Sequence, residues 1–320
     1  MENAFMEIKR LQALAKRVVQ SYAWGEAVWH VWDATGVNQQ CTRPNKVINE
    51  ARGEGNIKSS AESITESNFK SENNQNLKPL VLLHGGSGSW THWLRNVEHF
   101  AQYRQVWVLD IPGFGDSSLP AGVSDADDLV PYMASIFKQT FKDQSVDVIG
   151  FSFGGMTAGL LAAEHPELIH LLILVGAPGL GLFGKDLPMR GMTPDMDEQA
   201  QRNVHRHNLN AMMFVNPQSV TEEVIDLQKA NVVRDRLRRR RIARTNVLAR
   251  VQEKWICPVH GVWAEFDALY KNTLHQVPQQ LSCLRSFNVV PNAGHWVMYE
   301  QPSAFHTVID SLLQRTVNPS

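Results

Sequence analysis

Gly150-Phe151-Ser152-Phe153-Gly154-Gly155 decides how this chain is read. Upstream, Val146-Asp147-Val148-Ile149 has the length and apolar content of a short buried strand. Downstream, Met156-Thr157-Ala158-Gly159-Leu160-Leu161-Ala162-Ala163-Glu164-His165 reads as a helix stopped by Pro166. A serine therefore sits at a reversal between strand and helix, where the backbone turns within about one residue and only tight surroundings hold the strain. Gly150 and Gly154 remove the side chains that would collide there. The hydroxyl stands at a helix start, where free N–H groups and the helix dipole favour developing negative charge. Ser152 is thus the candidate nucleophile for acyl transfer.

Working outward, Pro79-Leu80-Val81-Leu82-Leu83 is a second buried-strand run, ending in His84-Gly85-Gly86-Ser87-Gly88-Ser89-Trp90. Val106-Trp107-Val108-Leu109 is a third, ending in Asp110-Ile111-Pro112-Gly113-Phe114-Gly115-Asp116-Ser117. Helical patterning from Leu129 to Phe141 precedes the serine strand, and Leu171-Leu172-Ile173-Leu174-Val175 follows it as another strand. Strands that alternate with helices imply a mostly parallel sheet covered on both faces, whose ligands gather beyond the carboxyl ends of the strands. Asp110 and Asp116 read as turn formers, short carboxylates that bond nearby backbone amides.

Composition narrows the classes. With 320 residues, 43% of them hydrophobic, the chain suits one large α/β domain carrying an insertion. A formal net charge of −1 gives no general reason to expect a nucleic acid or an anionic membrane as partner. Cys41, Cys257 and Cys283 are too few and too irregularly spaced for a disulfide framework or a zinc site. No run approaches the roughly 18 apolar residues that span a bilayer, and the first residues lack a signal peptide's apolar centre, so the expectation is a cytoplasmic enzyme without stable membrane insertion. Residues 1–22, with Phe5, Ile8, Leu11, Leu14 and Val18 at helical spacing, predict an amphipathic helix docked on the domain or mediating self-association. Trp29-His30-Val31-Trp32-Asp33 alternates like a strand, and the polar stretch 37–77 predicts a mobile surface insertion.

The His84-Gly85-Gly86 turn, the Asp110 to Ser117 loop, the Gly150 to Gly155 elbow and the later Gly294-His295-Trp296, in that order and each at a strand end, resemble the α/β-hydrolase superfamily. The resemblance covers roughly residues 25–35 and 78–316. It implies an α/β-hydrolase fold: a mostly parallel central sheet with helices on both faces and an inserted helical cap. The divisions expected are a core over 23–180, the cap over 181–255 and the rest of the core over 256–320.

A serine hydroxyl is a poor nucleophile at neutral pH, so a histidine must take its proton and a carboxylate must hold that imidazole in the right tautomer. The order expected for this fold is serine, acid, histidine. His295 follows the strand Phe287-Asn288-Val289-Val290 in a glycine-preceded loop, whereas His260, His275 and His306 read as structural. Asp267, after Val259-His260-Gly261-Val262-Trp263-Ala264, matches the family's acid, with Glu265 as its rival two residues away. The resemblance also implies that the oxyanion binds the backbone N–H groups of Gly86 and Phe153. Such chemistry calls for no metal or cofactor.

The long segment between Val175 and Cys257 holds helical patterning through Ala211, Met212, Met213 and Phe214, then from Val220 to Val233, and ends in what reads as an arginine-rich helix, Arg234 to Arg244. Met212, Met213 and Phe214 suggest an adaptable apolar pocket wall, though plain helix packing accounts for them equally well. No aromatic residues interleave with the arginines to stack bases, so that run is expected to be a solvated face or to pair with acids of the core, one guanidinium being able to turn inward to a substrate carboxylate. Trp90, Arg95-Asn96 and Trp296 are similar to positions in the meta-cleavage product hydrolases, which cut a carbon–carbon bond. That family usually has asparagine where Phe151 and His92 stand here, and its cap arginine has no evident counterpart. The departures move the expectation to a serine hydrolase of small to medium carboxylic esters, with Phe151, Trp90, His92, Met212, Met213, Phe214 and Trp296 as pocket residues. Carbon–carbon bond hydrolysis of a 2-hydroxy-6-oxo-dienoate, acyl transfer or perhydrolysis, and a non-catalytic receptor or scaffold are the alternatives. Ser152 argues against an epoxide hydrolase or haloalkane dehalogenase, which resemble this fold but use aspartate at the elbow. The partner expected is a small-molecule ester, without nucleic acid; a homo-oligomer is left open.

Overall fold

The computed structural model describes residues 4–33, 77–142, 144–184 and 187–314. Nearly all of the expected 37–77 insertion, Cys41 included, lies outside them. Eight strands, β1 (Lys16–Tyr22), β2 (Gly25–Trp32), β3 (Leu80–Leu83), β4 (Val106–Asp110), β5 (Val146–Phe151), β6 (Ile169–Val175), β7 (Val259–Ala264) and β8 (Ser286–Val290), form one sheet ordered β1-β2-β4-β3-β5-β6-β7-β8. β2 runs antiparallel to both neighbours and the remaining pairs are parallel.

Both faces of the sheet are covered, which is why its central strands are continuous apolar runs. Val81, Leu83, Val148, Leu172 and Leu174 join the core on one face, and Leu80, Leu82, Ile149 and Ile173 join the core on the other. Each such side chain taken fully out of water favours folding by about 1.5–3 kcal/mol. Asp147, the charged exception in β5, is compensated by Arg104 at 2.6 Å and His170 at 2.7 Å.

Helices α1 (Ala4–Leu14), α2 (Val97–Ala101), α3 (Val130–Phe141) and α4 (Phe153–Glu164) precede β6. Helices α5 (Glu198–Asn208), α6 (Glu222–Val233) and α7 (Val247–Val251) lie in the long segment between β6 and β7. Helices α8 (Val277–Gln280), α9 (Val297–Glu300) and α10 (Pro302–Gln314) complete the chain. Because β3, β5, β6, β7 and β8 are parallel, their carboxyl ends lie on one edge of the sheet, and the loops carrying Gly86, Ser152, Asp267 and His295 leave from that edge.

Two expectations are corrected. The first helix does not reach residue 22: it stops at Leu14, and Lys16–Tyr22 pairs with β2 as an edge strand. The β-branched pair Val18-Val19 alternates exposure along that strand, a period-2 signal hidden beneath the helical one. α1 itself is docked, with Leu11 fully buried, its carbonyl accepting the Trp32 indole N–H at 3.0 Å, and Arg10 paired with Glu98. The arginine-rich run is not a helix either. After α6 the chain is an extended strap as far as the short turn Ile242–Arg244. Arg236 donates its N–H to Gly113 O at 2.9 Å, and Asp235 turns back to take the Leu237 N–H at 3.1 Å. A helix here would stack arginines at i and i+4, and such like-charge pairs oppose it.

Candidate active site

Ser152 is the hinge of the elbow. Its φ of 51° and ψ of −118° lie outside the regions that side-chain-bearing residues favour, and its N–H is held by Val175 O at 2.7 Å. The surroundings explain the flanking glycines: a Cβ on Gly150 would stand 2.5 Å from the Gly155 Cα, and one on Gly154 would stand 2.5 Å from the His84 carbonyl oxygen. The turn aims the Ser152 hydroxyl at His295, whose Nε2 is 2.9 Å from Ser152 Oγ. On the other side of the ring, Nδ1 lies 2.8 Å from Asp267 Oδ2. Asp267 is buried, and its second oxygen accepts the Leu269 N–H at 3.0 Å. A buried carboxylate on Nδ1 fixes the proton there and leaves Nε2 as the acceptor facing the serine.

The rival Glu265 is exposed and accepts the Asn292 N–H at 3.0 Å, so it supports the loop before His295 rather than the imidazole. His260 meets Ser286 Oγ at 2.8 Å, and His306 meets Asn96 Oδ1 at 3.1 Å. Asp110 takes the Trp90 and Asp116 N–H groups at 2.8 and 3.0 Å, as a turn former does. Together with His30 and Asp116 it makes a cluster of potential metal ligands, but Asp116 is already paired with Arg17 and Arg234.

Gly86 and Phe153 flank Ser152 on the wall of a cavity of about 380 Å³. Phe153 opens α4, so its N–H has no carbonyl a turn earlier to bond. The loop bearing Gly86 is braced from behind by two histidines. His84 donates from Nδ1 to Gly85 O at 2.8 Å and accepts the Ile111 N–H on Nε2 at 3.0 Å. His92 accepts the Gly85 N–H on Nδ1 at 3.2 Å. Burial pushes both imidazoles below the ordinary histidine range, which keeps them neutral and able to accept.

A family model described as the alpha/beta hydrolase fold matches residues 78–220. The chain is 25% identical over 255 residues to the 2-hydroxymuconate semialdehyde hydrolase of Pseudomonas sp. (strain CF600), covering 73% of this chain and 86% of that one. It is 36% identical over 98 residues to the pimeloyl-[acyl-carrier protein] methyl ester esterase of Aeromonas hydrophila subsp. hydrophila, covering 31% of this chain and 37% of that one. The crystal structure of a bacterial membrane phospholipase A superposes with a TM-score of 0.69 at 19% identity, covering 99% of this chain and 93% of that chain. The chain has the alpha/beta hydrolase fold. It is an enzyme, a hydrolase.

The hydrolase builds the rest of its cavity wall from the segment between β6 and β7. Met212 and Met213, on the π-helical turn Leu209–Met213, line it, with Phe183, Met189, Met192 and Val232. Five other expected pocket residues do not. Phe151 is fully buried beneath the elbow, its ring 5.0 Å from that of His295. Trp90 packs at a tilt against Trp32 and His30, with ring centroids 5.5 and 5.3 Å away. His92, Trp296 and Phe214 form a layer behind the first loop, with ring centroids 4.7 and 5.6 Å apart and the Trp296 indole N–H bonded to His92 O. Strand alternation sends Phe151 away from the cavity, and the tight turns turn the others inward. The wall holds groups that the sequence did not single out, His205, Asn208 and Gln228, together with Arg240 and Arg244 of the arginine-rich run. Arg240 lies flat on Gly86, its guanidinium carbon 2.9 Å from where a Cβ would be. Glu300 was also missed. Its carboxylate accepts the Gly294, Asn216 and Val215 N–H groups at 2.7, 2.8 and 3.2 Å, tying the loop before His295 to the inserted segment.

Among the described residues no helix is long and apolar enough to cross a membrane.

Proposed function

We propose that the protein hydrolyses carboxylic esters of small to medium size through an acyl-enzyme, with Ser152, His295 and Asp267 as its catalytic triad and the segment 181–255 as a cap. The observation that carries this reading is the unbroken hydrogen-bonded chain from Ser152 Oγ through His295 to Asp267, opening on a cavity that Gly86 and Phe153 also line.

Ser152 Oγ attacks the ester carbonyl carbon while His295 Nε2 takes its proton. The carbonyl π electrons move onto oxygen, and the resulting oxyanion accepts the N–H groups of Gly86 and Phe153, aided by the positive end of α4. Asp267 stabilises the imidazolium. Collapse of the tetrahedral intermediate breaks the C–O bond, and His295 gives its proton to the departing alkoxide. Water then enters, His295 takes a proton from it, and the hydroxide adds to the acyl-enzyme. A second collapse returns the proton to Ser152 and frees the acid.

Carbon–carbon bond hydrolysis is the second reading, favoured by the relative named as a 2-hydroxymuconate semialdehyde hydrolase. It asks for one step more, protonation of a substrate carbon before the bond breaks, whereas ester cleavage uses only the groups already aligned. Turnover of p-nitrophenyl butyrate by the wild type, abolished in Ser152→Ala, is the expected result. An inactive wild type that instead bleaches a 2-hydroxy-6-oxo-dienoate would replace the first reading with the second.

A further inference from the structure

The cavity wall carries two guanidinium groups, those of Arg240 and Arg244, and no acidic side chain among its lining residues. The two cations differ in their surroundings. Arg240 is compensated by Asp235, whose carboxylate also takes the Ser87 hydroxyl and the Leu237 N–H. Arg244 stands over the ring of Phe183, 4.9 Å from its centroid, and among the described residues no carboxylate lies within ion-pairing distance of it. A ring face attracts a guanidinium through its quadrupole and takes up none of its N–H donors, which stay available to a carboxylate.

Two core acids that contact this segment are engaged elsewhere. Asp125 accepts the Ile242 and Ala126 N–H groups, and Asp116 is held by Arg17 and Arg234. Arg238, Arg239 and Arg241 are exposed on the same strap and add charge of the same sign. A concave site edged by one sign of charge, with low-dielectric walls, concentrates ligands of the opposite sign. Phe183, Met189, Met192 and Met212 supply an apolar length of wall in the same cavity.

Resting on the ester reading above, we infer that the substrate is a half-ester: it carries a carboxylate remote from the scissile bond, and Arg244 binds that carboxylate while the intervening chain lies on the apolar wall. Arg244 is a specificity residue for the substrate and takes no part in proton transfer.

The test compares monomethyl adipate with methyl hexanoate, two methyl esters of similar chain length that differ in a terminal carboxylate. At low salt the wild type is expected to favour the anion by about tenfold or more in kcat/KM. That ratio is expected to fall towards one in about 0.5 M KCl and in Arg244→Gln, with Arg244→Lys in between. Turnover of both esters with a ratio at or below one in the wild type overturns the inference and leaves the ester reading standing. If neither ester is turned over, the ester reading has failed, and adipate binding by calorimetry decides the anion site alone. Binding that Arg244→Gln removes sustains the site, and no binding by the wild type overturns it.

Discussion

At the scale of single residues, the site depends on holding a few groups where their chemistry needs them. Asp267 accepts from His295 Nδ1 and from the Leu269 N–H, so Asp267→Asn keeps one of these bonds and replaces an acceptor with an amide that can select the wrong imidazole tautomer. Ester turnover is expected to fall by about 10⁴ in kcat with little change in KM, read from steady-state kinetics. A drop of less than tenfold would mean that another group orients His295. Gly86→Ala tests the oxyanion loop. The added Cβ would stand 2.9 Å from the guanidinium carbon of Arg240, the far end of a flexible side chain that Asp235 holds, so either that side chain or the loop shifts. If the loop shifts, the proposed oxyanion donor is displaced at a cost of about 10² or more in kcat, part of which the double substitution with Arg240→Ala should recover, whereas a shift of Arg240 alone would leave kcat nearly unchanged. Ser152, Asp267 and His295 were legible in the sequence because each stands at a strand end within a short motif. His92, Trp90, Phe151, Phe214 and Trp296 were misread for a physical reason: sequence order says which residues are near the site but not which way a side chain leaves a tight turn.

At the scale of elements, the long runs β3, β5 and β6 were legible because burial on both faces leaves no polar period to confuse with a helix. The arginine strap was not. Its shape comes from tertiary partners remote in sequence, with the Arg236 guanidinium donating to the Phe114, Gly115 and Ser117 carbonyls. β1 was missed because its apolar residues also fit a helix that was already running. The elements meet at two joints. Asn231 of α6 is fully buried and accepts the Ser89 and Thr91 hydroxyls at 2.8 and 3.3 Å, so it fixes the inserted segment to the first glycine loop. Glu300 fixes the same segment to the loop before His295. Glu300→Ala removes a charged acceptor from three backbone donors, and hydrogen bonds to charged groups contribute about 1.5–3 kcal/mol each when buried, less at this partly exposed position. The expected outcome is a lower urea midpoint together with reduced kcat, whereas Glu300→Gln, which keeps one acceptor, falls between. A variant with unchanged kcat would show that the His295 loop holds its position without this joint.

At the scale of the whole molecule, the packing that closes both faces of the sheet also takes histidines out of water, and this sets how stability responds to acid. His306 of α10 stacks on His99 of α2 with ring centroids 3.9 Å apart and planes 2° from parallel. Burial first, and His99 second, push His306 down from 6.5 to about 4, with Asp310 opposing the shift. His84 and His92 are likewise lowered by burial. For groups lowered in this way the unfolded chain binds more protons than the folded one between about pH 4 and pH 6.5, so unfolding free energy rises with pH across that window and falls on acidification through it. The urea midpoint is therefore expected to drop from pH 7 to pH 5, before the carboxylates that ion pairs and backbone N–H groups hold below their usual range begin to protonate. His306→Asn, which cannot charge, should be less stable than the wild type at pH 7 for want of its ring stacking, yet should lose less between pH 7 and pH 5. Equal slopes in the two proteins would assign the acid sensitivity to His84, His92 and the rest of the buried set, and a wild-type midpoint that holds or rises towards pH 5 would contradict the burial argument itself.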